Sequence, residues 1–185
     1  MKMKRLKIEI KKKTEPMKKL ILVLLLVITS CKTTTKSTKN QIKNTTTFYF
    51  FRHAEKDNDG TKDPNLSPLG LQRATNYIDF FKDIKIDAIY STDFKRTLNT
   101  IKPLAKSRNL EPIIYNPIKI DYEGIVVKHK NQTVLVVGHS NTTPSFVNKI
   151  IGKTIYKQMG ETNFSDVYKV TIIDSKINYE LLKMD

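Results

Sequence analysis

The sequence predicts an α/β domain of three layers, with helices on both faces of a mostly parallel central sheet. Three observations carry that prediction. Phe48-Tyr49-Phe50-Phe51 is a short, unbroken apolar run that stops abruptly at Arg52-His53, the pattern of a strand covered on both faces. Residues 133–137 form a second such run, which ends in Gly138-His139-Ser140. Strand-like and helix-like patterns alternate through most of the span from 48 onward, as crossover connections between parallel strands require.

Taken in order, residues 48–52 are the first strand and 57–65 a polar, turn-rich loop containing Asp59-Gly60 and Asp63-Pro64. Ser67-Pro68 reads as helix cap and first helical position, with Leu71, Ala74, Ile78 and Phe81 recurring at helical spacing. Residues 87–91 are a second buried strand. Asp93 is placed to cap the next helix, whose apolar face is Phe94, Leu98, Ile101 and Ala105, and Pro103 is expected to kink or shorten it. Residues 112–115 are a third strand and 122–130 a short helix. After the strand at 133–137, Pro144 sits just inside a helix carrying Phe146, Val147, Ile150 and Ile151, with Gly152 as its stop. Residues 167–173 and 177–182 alternate around Asp174-Ser175-Lys176 as a terminal antiparallel hairpin.

The 185 residues provide for one domain with a proper core plus a tail. The net charge of +15 resembles a nucleic-acid signal until it is located. Thirteen of the 33 basic residues and two of the 18 acidic ones precede Phe48, which leaves 20 against 16 in residues 48–185. The globular part is only mildly basic and shows no clustered cationic face, so nucleic acid is not an expected partner. The excess belongs to the leader and tail. Residues 20–28 are nine apolar residues in succession, preceded by Lys18-Lys19 and followed by Thr29-Ser30-Cys31. That run is far short of the ~20 residues a membrane-spanning helix needs, and its parts are those of a secretory signal. The ending Ile28-Thr29-Ser30-Cys31 resembles a bacterial lipobox, so Cys31 is the expected lipidation site and the cell envelope, through a lipid anchor, the expected location. Alternatives are an uncleaved anchor or an incidental thiol. Cys31 is the only cysteine, so no disulfide forms within one copy. Translation starts at Met1 or at Met17. Residues 1–31 are thus read as signal, 32–47 as a disordered tether of Thr, Lys, Ser and Asn, and 48–185 as the domain.

Four side chains fall where a sheet's carboxyl edge would gather them. Arg52 and His53 close the first strand, Arg96 lies five residues beyond Ser91 in the first turn of the following helix, and His139 closes the strand at 133–137. Two guanidiniums there can grip a phosphate by paired charge-assisted hydrogen bonds. A neutral His53 can attack phosphorus, splitting one hard transfer into two easier ones. Neighbouring cations help keep that imidazole unprotonated. His139 is then placed to donate hydrogen bonds to the phosphoryl oxygens, with Ser140 beside it. A metal is not expected, because the His53-Ala54-Glu55 element has no partner cysteines in the domain. No G-x-x-x-x-G-K-[ST] phosphate loop is present.

These residues resemble the histidine phosphatase superfamily, the phosphoglycerate-mutase-like group. The resemblance is carried by Arg52-His53-Ala54-Glu55, Leu66-Ser67-Pro68-Leu69-Gly70, Ser91-Thr92-Asp93-Phe94-Lys95-Arg96-Thr97 with Thr100, and Gly138-His139-Ser140. It implies a phosphoglycerate-mutase-like fold, a phosphorylated nucleophile at His53, and a phosphate pocket of Arg52, Arg96 and His139, with Glu55 supporting the loop. It further implies a metal-independent hydrolase, without cofactor, acting on a phosphorylated small molecule or phosphoprotein. Members that cleave poor leaving groups place a carboxylate between the second-arginine helix and the last catalytic strand. Asp121 is the preferred candidate and Glu123 the second, with a plain helix cap an equal reading of Asp121. Some compact members lack this acid and act on phosphohistidine or other good leaving groups. The chain lacks the mutases' long insertions, which disfavours a sugar-phosphate mutase. His129 has no such company and is read as an exposed surface residue. The rival from another class is a catalytically silent envelope protein that holds a phosphorylated ligand in the same pocket.

Overall fold

The computed structural model describes residues 44–184. The signal, Cys31 and the tether as far as residue 43 lie outside the described residues. Within them six strands form one sheet: β1 (Thr45–Arg52), β2 (Ala88–Ser91), β3 (Ile113–Ile114), β4 (Thr133–Gly138), β5 (Asp166–Ile173) and β6 (Lys176–Lys183). The helices are α1 (Pro68–Phe80), α2 (Lys95–Ser107), α3 (Tyr122–Lys128) and α4 (Thr142–Ile151). The strand order is β3-β2-β4-β1-β5-β6. The pairs β3–β2, β2–β4 and β4–β1 are parallel, and β5 and β6 add an antiparallel hairpin on the far side of β1.

Alternation along each central strand builds the two cores. Phe48 and Phe50 of β1, with Tyr90, Val134 and Val136, face α3 and α4 through Ile125, Phe146 and Val147. Tyr49 and Phe51, with Ile89, Leu135 and Val137, face α1 and α2 through Tyr77, Phe81, Ile101 and Leu104. Phe51 stacks on Tyr77 at 4.4 Å between ring centroids, and Phe50 meets Phe146 at 5.0 Å. A helix layer on each side explains why β1 is apolar without interruption. The three layers are thus a direct reading of the pattern.

Local chemistry sets most of the boundaries. Ser67 Oγ accepts from Gly70 N at 3.2 Å and Pro68 opens α1, while Gly152 ends α4 in the left-handed conformation at φ 66°. Several expectations need correction. Thr45, Thr46 and Thr47 belong to β1 and pair with β5, so the folded part reaches into the stretch read as tether. Leu71 is 56% exposed; Ala74 and Phe81 are buried as expected, and Tyr77 joins them on the inner face. Asp93 does not cap α2. Phe94 holds the cap position without a side-chain hydrogen bond, and Asp63, from the preceding loop, accepts from Lys95 N at 3.0 and 3.1 Å. Pro103 lies inside α2, which continues to Ser107.

His129 is the largest departure. It is buried at 5% exposure, not at the surface. Its Nδ1 lies 2.6 Å from Gln132 Oε1, an atom that only accepts, so Nδ1 carries the proton. Its Nε2 then accepts from the Tyr90 hydroxyl at 2.8 Å. The imidazole joins the end of α3 to β2, a structural role.

Candidate active site

β1 and β4 are neighbours in register, Arg52 opposite Gly138, and His53 N donates to Gly138 O at 3.0 Å. The next residue of each strand is a histidine, so adjacency alone brings His53 and His139 together, their rings 5.6 Å apart. Gly138 is required by close approach: a Cβ there would lie 2.8 Å from Thr143 Oγ1 and 2.9 Å from the Tyr115 hydroxyl. Arg96 arrives from the first turn of α2. Together Arg52, His53, Arg96, His139 and Ser140 line one cleft of about 330 Å³.

His53 is held in a single tautomer. Its Nδ1 is 2.7 Å from Ala54 O, and a carbonyl only accepts, so Nδ1 carries the proton and Nε2 keeps its lone pair. Burial pushes its pKa down to about 3, and the charges of Arg52, His139 and Arg96 push the same way. Desolvation, rather than the neighbouring cations expected from the sequence, is the larger cause. His139 is lowered to about 4, again by burial first and then by Arg96 and Arg52. Both imidazoles are neutral at pH 7.

Arg52 is 4% exposed. Its Nη1 donates to the carbonyls of Gly160, Glu161 and Asn163 at 3.0, 3.0 and 3.2 Å, and its guanidinium lies over the Phe164 ring at 4.2 Å. Its Nε is buried with no acceptor among the described residues, the kind of donor a phosphoryl oxygen satisfies. Arg96 stacks over Phe94 at 4.4 Å and pairs with Asp63 Oδ1 at 3.3 Å. Phe94 also packs edge-on against His139 at 5.0 Å. Each arginine–histidine couple therefore has an aromatic prop.

Polar supports extend behind the motif. Thr100 Oγ1 accepts from Ala54 N at 2.8 Å, which ties α2 to β1. Glu55 takes three hydrogen bonds from Arg73 at 2.8–3.0 Å, the loop-supporting role expected of it. A Cβ on Gly70 would meet Glu55 O at 2.0 Å, so α1 rests directly on the motif backbone. Thr92 Oγ1 is 2.9 Å from His139 Nε2 and donates to Thr97 Oγ1 at 3.1 Å. With its one proton spent there, Thr92 accepts from His139 Nε2–H. His139 is therefore engaged rather than free, and donation to a phosphoryl oxygen requires sharing or exchanging the Thr92 bond.

Asp121 is not brought to the cleft. It caps α3, with Oδ1 accepting from Gly124 N at 2.9 Å, and Glu123 is exposed in the same first turn. The carboxylate that does line the cleft is Glu161, 84% exposed and 3.9 Å from Arg52 Nη2. Sequence reasoning missed it, along with Gln158, Lys56 and Lys62. The first two come from the loop between α4 and β5, which carries no periodic signal, and only long-range bonds such as Met159 N to Ser140 O at 2.9 Å fold it over the site. Among the described residues no three His, Cys, Asp or Glu side chains gather as a metal-binding group.

The sequence profile of the histidine phosphatase superfamily (branch 1) matches residues 48–119, which hold Arg52, His53 and Arg96. Over those residues the chain is similar to the histidine phosphatase superfamily. A comparison with curated proteins returns no match. Solved structures share the fold. Phosphoserine phosphatase from Entamoeba histolytica, in complex with phosphoserine, superposes with a TM-score of 0.58 at 14% identity, covering 75% of this chain and 96% of that one. Phosphoglycerate mutase from Bacillus anthracis gives 0.57 at 19% identity, covering 75% and 92%. Alpha-ribazole phosphatase from Shigella flexneri gives 0.58 at 12%, covering 75% and 96%. At these identities the solved structures show a shared fold. His139 lies outside the matched residues and enters the site through β4 alone.

Proposed function

We propose that the domain hydrolyses phosphomonoesters or phosphohistidine through a phosphohistidine intermediate on His53. The observation that supports it is the lone pair on His53 Nε2, fixed by the 2.7 Å contact of Nδ1 with Ala54 O and kept unprotonated by burial among arginines. Arg52 and Arg96 bind the phosphoryl oxygens, and the Nε2–P bond forms as the bond from phosphorus to the leaving group breaks. Water then attacks phosphorus, the P–N bond breaks and inorganic phosphate departs. The arginines and the His139 donor supply the charge stabilisation, so no metal enters the scheme.

Neither Asp121 nor Glu123 is placed to protonate a leaving group, and exposed Glu161 is poorly insulated for that work. This favours leaving groups that depart without much help, such as the imidazole of a phosphohistidine, a phenolate or the carboxylate of an acyl phosphate. The same observation favours a second reading, a silent pocket that holds a phosphorylated ligand. Turnover of p-nitrophenyl phosphate by the soluble domain in the presence of a chelator, abolished by His53→Ala, is the expected result. An acid-labile phosphate on His53, trapped during turnover, accompanies it. Binding of phosphorylated ligands with no turnover in either protein would establish the silent reading instead.

The leader motivates the rest of the proposal: export, and attachment to the envelope membrane by a lipid on Cys31. In membrane fractions from expressing bacteria, Cys31→Ala is expected to release the protein. Retention of that variant at the membrane would rule out the anchor.

A further inference from the structure

The cleft carries more positive charge than its two arginines. Arg52 has Glu161 at 3.9 Å and Arg96 has Asp63 at 3.3 Å. Lys56 and Lys62 line the same cleft, both exposed, and neither has a carboxylate partner among the described residues. Their loop is fastened rather than loose. Lys56 bridges to Leu66, Asp57 N donates to Asn65 O at 2.8 Å, and Gly60 turns the chain at φ 73°. Both carboxylate oxygens of Asp63 accept from Lys95 N, which pins the loop to the start of α2 beside Arg96. Two uncompensated ammonium groups are thereby kept at the lip of a cleft whose buried base already holds Arg52 and His53. Pro64 is the one apolar residue among those lining the cleft, so nothing there favours a bulky apolar substituent.

We propose that the 56–66 loop forms a second anion subsite, in which Lys56 and Lys62 take a carboxylate or second phosphate of a substrate whose scissile phosphoryl group lies at His53. The proposal rests on the phosphatase reading and narrows it to small polar substrates with two anionic groups. Ammonium groups at a solvated rim suit this role, since they bind anions as point charges without demanding planar geometry. Asp63 is the positioning residue: it holds the loop that carries Lys62 and orients Arg96 with the same carboxylate.

Isothermal titration with methylphosphonate and phosphonoacetate separates a subsite from general attraction, because both probes carry the same phosphonate and only the second adds a carboxylate. The wild-type domain is expected to bind phosphonoacetate about tenfold or more tightly. The double variant Lys56→Gln, Lys62→Gln should lose that preference while its affinity for methylphosphonate changes less than about twofold. Equal weakening for both probes, the signature of long-range steering, overturns the proposal, and so does a wild-type domain that binds the two alike. The measurement needs no turnover. If His53→Ala abolishes hydrolysis but the preference is absent, the subsite fails and the phosphatase stands; if the preference is present and hydrolysis is not, the reverse holds.

Discussion

Arg52 and Arg96 have the same head group, but their surroundings assign them different work. Arg52 uses Nη1 on three loop carbonyls and leaves Nε buried without an acceptor among the described residues, whereas Arg96 is partly exposed, stacked on Phe94 and paired with Asp63. A lysine at position 52 retains the charge but loses the fork and the coplanar Nε. Arg52→Lys is therefore expected to lower kcat/KM about 100-fold or more and to lower Tm by about 4 °C or more, since the loop at 160–163 loses its clasp. Arg96→Lys should lower turnover comparably and leave Tm within about 2 °C, because its ion pair is partly solvated. Steady-state kinetics and a melting curve on both variants check the contrast. At this scale the convergence of Arg52, His53, Arg96 and His139 on one cleft was readable, since they sit at strand and helix ends where a cation or imidazole has little structural use. Asp121 and His129 were not, because capping and burial leave no trace in residue type: an aspartate before a helix reads alike as cap or acid. Thr92 lies within a motif, yet nothing in sequence says that its hydroxyl holds His139 Nε2.

At the scale of elements, the site depends on how closely β4 and the start of α4 approach. Gly138 has Thr143 Oγ1 and the Tyr115 hydroxyl where a methyl would stand. Gly138→Ala is expected to destabilise the domain by about 1–3 kcal/mol, the usual cost of forcing atoms into a filled space. It should also reduce turnover more than Val136→Ala, which empties space in the same strand without pushing on the catalytic turn. Urea unfolding and kcat on the two variants make the comparison. The elements themselves followed from periodicity: Ser67-Pro68 opened α1, Gly152 closed α4, and the alternation after residue 166 formed the hairpin. The cap of α2 did not follow, because the carboxylate that serves it comes from Asp63, 32 residues earlier. Local sequence windows do not contain such partners.

For the whole molecule, the neutral imidazoles link stability to pH. Unfolded histidine titrates near ~6.5, while folded His53 and His139 are lowered to about 3 and about 4. Between those limits the unfolded chain binds protons that the folded one refuses, so stability is full above pH ~6.5 and falls as the pH drops toward 4. The ceiling for His53 alone is about 1.4 kcal/mol per pH unit. Denaturant midpoints at pH 7 and pH 5 should show this loss, and His53→Gln should flatten it; an unchanged slope would contradict the burial argument. Sheet order was the least legible feature at this scale. Both buried runs announced central strands, but only packing sets them side by side with β2 beyond β4, and that neighbourhood makes a site from residues 86 positions apart in the chain.

The threefold carbonyl clasp on Arg52 has a corollary for binding. Its guanidinium is moored before any phosphate arrives, so no rotamer of this side chain has to be frozen on contact. The reorganisation that anion binding requires then falls on His139 and Arg96, whose contacts with Thr92 and Asp63 are shared or exchanged.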